Sequence, residues 1–231
     1  MNSILQEYKN FVHYLGNILG PDYEIVLHEL GKENRVIAIE NGHISGRTVG
    51  SPITNKALQF IKDKRYKEAD YELNYLGMLE SGKKLRSSTY FIKNEQGEPI
   101  GLLCINIDDS RYLNICEQIL QLCYPKNYAD IKLDFAPSIT ENSEDTEGVE
   151  QFPDTVDKIV ADIIKPIIAQ SKVPVDRFTQ EEKMNIVAQL NHRGVFVIKG
   201  AVSCTAKALN TSEASIYRYI SKLKHSDQYN I

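Results

Sequence analysis

The stretch from Val202 to Ile220, VSCTAKALNTSEASIYRYI, constrains the fold of this chain more than any other. It sets a small residue, Ala206, four positions before Asn210 and ten before the apolar Ile216. A small side chain lets two helices approach closely. Asparagine takes the left-handed backbone conformation of a tight turn at little cost. Ile216 then fills the space between the helices, and Ser212 stands where it can N-cap the second one. Leu209, Ile216, Tyr219, Ile220 and Leu223 give the pair an apolar side, while Glu213, Tyr217, Arg218, Ser221 and Lys222 project elsewhere. The spacing predicts a helix-turn-helix of the kind that docks on DNA.

Local charge points the same way. Between Asn191 and His225 the cations are Arg193, Lys199, Lys207, Arg218, Lys222 and Lys224, against the single acid Glu213, in a chain whose formal net charge is -4. A cationic segment in an acidic protein suits phosphate contact, which supplies most sequence-independent DNA affinity. The bland alternative is a solvated lysine face on a C-terminal helix.

The remainder sets the context. The chain has 231 residues, 25% charged and 42% hydrophobic, ordinary for a globular protein with room for two modest cores. Glu7 and Lys9 interrupt the apolar N-terminus, so no signal peptide is expected, and no window approaches membrane-spanning length. A cytoplasmic location follows as the default. Cys104, Cys116, Cys123 and Cys204 form no CxxC pair and have no histidine at zinc-finger spacing, so no metal site is assigned and a reduced compartment fits. Cys116 and Cys123 are expected as small buried thiols on one helical face.

Ser3 to Leu19 reads as an amphipathic helix through Ile4, Tyr8, Phe11, Val12, Leu15, Ile18 and Leu19, ended by Gly20-Pro21. Tyr23 to Leu30 and Arg35 to Glu40 form a hairpin around Gly31-Lys32-Glu33-Asn34. Asn41 to Pro52 is a loop with Gly42, Gly46 and Gly50, spaced as neither GxGxxG nor GxxxxGK[ST], so unusual dihedrals are its reading. Thr54 to Tyr66 is helical with Thr54 as cap, and Asp70 to Glu80 is read as a short helix or loop. Lys84 to Lys93 and Pro99 to Asp108 make a second hairpin, whose later strand is apolar on both faces and therefore central. Arg111 to Tyr124 is a helix ended by Pro125. Two hairpins with packed helices predict an α+β domain over residues 1–125, built on an antiparallel sheet.

Residues 126–152, rich in Ser, Thr, Asn, Asp and Glu, read as an acidic linker. A connecting helix follows from Asp154 to Gln170, interrupted by Pro166, whose apolar surface invites pairing with a second copy. Thr179 and Glu182 make a capping box opening a further helix that Gly194 ends, and residues 153–231 form an all-α unit.

The segments ENGHISGRTVGSPIT, SSTYFIKNEQGEPIGLLCINID and GVFVIKGAVSCTAKALNTSEASIYRYI, in this order, resemble the YheO-like PAS-domain transcriptional regulators with a DauR-type helix-turn-helix. The resemblance covers both ends of the chain and leaves mainly the linker unmatched. It implies a bacterial regulator with a PAS-like sensory domain joined to a DNA-binding domain, whose partner is double-stranded DNA. Carried over by position, it makes Ser212, Glu213, Tyr217, Arg218 and Lys222 DNA-facing, with Ala206 and Ile216 structural. Asn210 departs from the commoner glycine. Lys199 and Lys207 join the DNA contacts as phosphate-holding lysines.

A PAS-like pocket would lie between sheet and helices. Its candidate liners are His28, Arg47, Ser88 and Asn106, each with an ordinary structural role as the alternative; the effector, if one exists, and any cofactor stay unnamed by the sequence. No catalytic residue is assigned: GxSxG, HExxH and P-loop patterns are missing, His13, His28, His43, His192 and His225 form no ligand pair, and Asp108-Asp109 reads as a helix cap. The reading is thus a dimeric, ligand-responsive DNA-binding regulator, with a non-DNA-binding ligand or protein-interaction module as the alternative.

Overall fold

The computed structural model describes residues 3–31, 33–124, 149–171 and 173–227. Pro125 and residues 126–148 of the expected linker lie outside them.

The N-terminal half is a six-stranded sheet in the order β2-β1-β5-β4-β3-β6, with β1 Tyr23–Glu29, β2 Arg35–Glu40, β3 Tyr71–Met78, β4 Lys84–Lys93, β5 Pro99–Ile107 and β6 Glu150–Gln151. Neighbours are antiparallel except β3 and β6. β5, apolar on both faces, sits between β1 and β4 as its composition predicts. Side-chain alternation divides the sheet. One face carries Ile25, Leu27, Ile37, Ala38 and Ile92 and is covered by helix α1, Ser3–Leu19, through Leu5 and Val12. The other carries Val26, Val36, Phe91, Leu102 and Cys104 and meets helix α2, Asn55–Lys62. Thr54 caps α2 by accepting from the Ala57 amide.

The C-terminal half is helical: α4 Val156–Ala169, α5 Gln180–His192, α6 Ala201–Ala208 and α7 Glu213–Asp227, after α3, Ser110–Cys123, has closed the sheet domain. Thr179 and Glu182 form the expected capping box of α5. Ile159, Val160, Ile163, Val187, Leu190, Leu209 and Ile216 are buried together, and this core is continuous with the α2 side of the sheet. Among the described residues no helix is long and apolar enough to cross a membrane.

Five expectations change. Asp70 to Glu80 holds a strand, β3, because an irregularity at Glu72/Tyr75 and the positive φ of Asn74 break its alternation and hide it from periodicity. Residues 150–152, assigned to the linker, belong to the sheet domain: Glu150 and Phe152 are buried there. The buried face of α1 is Leu5, Val12 and Gly16, leaving Phe11 and Ile18 exposed. No residue of α3 is buried, so Cys116 is half-buried and Cys123 exposed rather than interior. The stripe of α4 is covered within the chain by α5 and α6, so its apolar character does not require a second copy.

Candidate nucleic-acid interface and sensor interior

The helix-turn-helix forms as its spacing predicts. Asn210 adopts φ 45, in the left-handed region, between α6 and α7. Ser212 Oγ accepts from the Ser215 amide at 3.2 Å and so caps α7. Ala206, Leu209, Ile216 and Tyr219 are buried, and α5 braces the pair, with Lys183 Nζ donating to the Asn210 carbonyl at 3.3 Å. On the outer side Ser212, Glu213, Tyr217, Arg218, Ser221 and Lys222 are all exposed. Tyr217 is 59% accessible, and the Arg218 guanidinium stands 5.6 Å over the Tyr219 ring. Lys207 is exposed as well. Lys199 is engaged: its ammonium pairs with Glu33 of the β1–β2 turn at 2.6 Å.

The sensor interior holds a second constellation. His28, Arg47 and Asn106 are all buried on the α2 side of the sheet, where Arg47 Nη2 lies 3.1 Å from His28 Nε2 and donates to the Pro52 carbonyl. The glycine loop makes this inward turn of Arg47 feasible, since Gly46 and Gly50 both take positive φ. Ser88 does not join them. Strand alternation turns it to the opposite face, where its Oγ accepts from the Asn74 amide, and Ser87 and Thr89 face the interior instead.

Residues that the sequence reading did not place in this interior complete the set. Glu24 accepts from the Ser45 amide and hydroxyl and from Asn106 Nδ2 at 2.7 Å. Glu150 accepts from Thr54 Oγ1 at 2.7 Å. Thr89 Oγ1 meets Tyr75 OH at 2.7 Å and Cys104 Sγ at 3.3 Å, and Cys104 in turn approaches His28 Nδ1 at 3.7 Å. Glu24 was legible as a charge next to the apolar run Ile25-Val26-Leu27; Glu150 carried no signal among its acidic neighbours.

Burial governs the protonation of this set. It raises both Glu24 and Glu150, against the hydrogen bonds and the Arg47 charge that lower them. It holds His28 well below the ordinary imidazole value, assisted by Arg47, and pushes the Cys104 thiol up to about 12, so a reactive thiolate is disfavoured. The Asp108-Asp109 pair is occupied: Asp108 accepts from the Ser110 amide and hydroxyl just before α3, and Asp109, at the N-cap position, takes Arg86 at 2.9 and 3.0 Å and makes no side-chain cap.

The family model described as a YheO-like PAS domain matches residues 1–124, more than half of the chain. The chain belongs to the YheO-like PAS family. A family model described as an HTH domain matches residues 159–221, the span of α4 to most of α7. Among relatives of this YheO-like chain, an uncharacterized protein of Haemophilus influenzae is 32% identical over 98% of the chain and 94% of its own length. The uncharacterized protein YheO of Escherichia coli K12 is 30% identical over 97% and 86%. The transcriptional regulator DauR of Pseudomonas aeruginosa is 25% identical over 95% and 94%. The YheO-like match coincides with the sheet domain up to the end of α3, and the helix-turn-helix match with the apolar helical half.

Proposed function

We propose that this protein is a bacterial transcriptional regulator in which the YheO-like PAS domain senses a small molecule and the helix-turn-helix binds double-stranded DNA. The observation that carries the reading is the two-sidedness of α7: Ile216 and Tyr219 are interred, while Tyr217, Arg218 and Lys222 stand in solvent on a surface whose one acid between residues 212 and 223 is Glu213. Inserted in the major groove, α7 offers Arg218 to a base edge or phosphate and Tyr217 to the backbone or a thymine methyl. Ser212 and Glu213 lie at the helix start beside the groove, and Lys207, Lys222 and Lys199 hold phosphates. His28, Arg47 and Asn106 line the sensor interior.

The protein acts in the cytoplasm as a homodimer, since two recognition helices match a two-fold operator. With α4 covered, the surfaces left for pairing are the exposed Phe11, Tyr14 and Ile18 of α1 and Ile115, Ile119 and Leu122 of α3. Light scattering of the purified chain tests this, and a monomeric mass at micromolar concentration rejects it.

Anisotropy titration against genomic fragments at two salt concentrations tests DNA binding. A steep fall of affinity with salt and a preferred fragment are expected. Arg218→Ala should cost about 1–3 kcal/mol and relax preference at one base position. Uniform weak binding insensitive to salt favours a protein-interaction module instead.

A further inference from the structure

Helix α3 carries an apolar edge that the described residues leave uncovered. Tyr112, Ile115, Ile119 and Leu122 recur at spacings of three, four and three, which sets them in one stripe along the helix. All four are exposed, Leu122 to 84%. Leu113, Cys116 and Leu120 on the adjoining side are half-buried. The first turn is fixed to the sheet domain, since Arg111 pairs with Asp22 at 2.9 Å and Tyr112 OH lies 3.5 Å from Tyr23 OH. An apolar stripe held in place and left in solvent is the mark of an interaction surface.

Its pattern and its flanks decide what can lie on it. Three-four-three is the a/d spacing by which helices pair knobs-into-holes, and isoleucine at a followed by leucine at d, as in Ile119 and Leu122, favours two parallel strands. In a two-fold pair the edge of one copy meets the same edge of the other, so a charged edge would repel itself. The flanking Cys116, Gln118 and Cys123 are uncharged, Arg111 is engaged by Asp22, and Glu117 stands outside the stripe. A surface built for a charged partner would carry the opposite charge, and one built for an anionic membrane would carry cations. This edge carries neither, which fits a second copy of itself.

A helix of 14 residues, about 21 Å long, supplies only part of the about 800 Å2 per partner that a stable dimer buries. Helix α1 supplies more: Phe11, Tyr14 and Ile18 repeat the three-four spacing and are 54%, 60% and 62% exposed. The end of α1 and the start of α3 lie at the same end of the sheet, where Tyr23 of β1 is paired with Ile107 of β5. Resting on the homodimer reading above, we infer that α3 of one copy packs in parallel along α3 of a second, with Tyr112, Ile115, Ile119 and Leu122 as the seam and the exposed side of α1 extending it. Parallel pairing leaves the two α3 C-termini on one side of the dimer, as two recognition helices on one face of a duplex require.

The test uses the full chain. Light scattering should give twice the chain mass for the wild type and a single chain mass for Ile119→Glu over the same micromolar range. Circular dichroism should be unaltered, because the residue already stands in solvent. Tyr14→Glu should weaken the dimer about tenfold. Ile119→Cys, in a chain carrying Cys116→Ser and Cys123→Ser, should form an intermolecular disulfide under mild oxidation, and Asn114→Cys on the outer side of the helix should not. That cross-linking comparison keeps the test decisive if Ile119→Glu fails to fold. An Ile119→Glu chain that stays at twice the chain mass, or a link at position 114 as ready as at 119, overturns the seam and leaves the homodimer reading standing. Unchanged dimer affinity in Tyr14→Glu overturns the part given to α1. A wild-type chain that scatters as a monomer overturns the homodimer reading and the seam with it.

Discussion

The two halves of this protein fill their interiors in opposite ways. Around α4 to α7 the core is apolar and mostly aliphatic, and Thr205 is its one buried polar residue among the described residues. Beneath α2 the sheet domain inters Glu24, His28, Arg47, Ser87, Thr89, Asn106 and Glu150. A core of Ile, Val and Leu at close packing has one good arrangement, which suits a module that must present a fixed convex surface to a regular duplex. A polar interior costs desolvation at every group and returns it only where partners are supplied. Chains retain such an interior where it does something other than hold the fold.

The contrast is broken most severely by removing the one cation of the polar interior. Arg47→Met leaves Glu24 and Glu150 buried without their countercharge and should cost about 3–5 kcal/mol in denaturant titration. The loss should shrink in mild acid, where the two raised carboxyls take up protons. An equal loss at all pH values would mean that packing, not charge, is what Arg47 supplies. On the other side, Ile216→Ala empties a fully buried site between α6 and α7 and should cost about 2–5 kcal/mol with no pH dependence. DNA affinity should fall with it, since α7 loses its anchor.

These halves were also unequally legible in the sequence. Ala206, Asn210, Ser212 and Ile216 are neighbours in the chain, so short-range steric rules place them, and the resulting turn matches residue by residue. The antiparallel hairpins around residues 31–34 and 94–98 were legible for the same reason. The polar interior is assembled from β1, β5, β4, β6 and a loop, and no local rule joins Glu24 to Glu150. Parity decided the rest: reading Ser88 instead of Ser87 as the inward residue misses by one position, which on a strand is the wrong face. β6 escaped because two residues have no period, and α1 was read a fraction of a turn off because its exposed side is nearly as apolar as its buried one.

A smaller effect sharpens the comparison through pH. His28 is held well below 6.5, so the folded chain keeps it neutral while the unfolded chain protonates it. Its contribution is therefore present above 6.5 and is lost as pH falls, whereas Glu24 and Glu150, raised in the fold, contribute in the opposite sense. Melting temperature should decline from about pH 7 to about pH 5.5, and His28→Gln should flatten that slope even if it lowers stability throughout. An unchanged slope would show that another group sets the acid limb.

The smallest effect lies where the halves touch. Glu33 takes both Arg35 at 2.8 Å and Lys199 at 2.6 Å, and beside it Asn34 donates to the Val197 carbonyl at 2.7 Å. Lys199 is 68% exposed, so the pair should stabilise by no more than about 1 kcal/mol. Its consequence for DNA is more informative than its strength. A lysine shared between a sensor carboxylate and a phosphate cannot fully serve both, so Glu33→Gln should leave the melting temperature nearly unchanged while steepening the salt dependence of DNA affinity by up to about one unit. Lys199→Ala should lower that dependence by a similar amount. If neither substitution moves the salt slope, Lys199 is a strut between the halves and contributes nothing to phosphate binding.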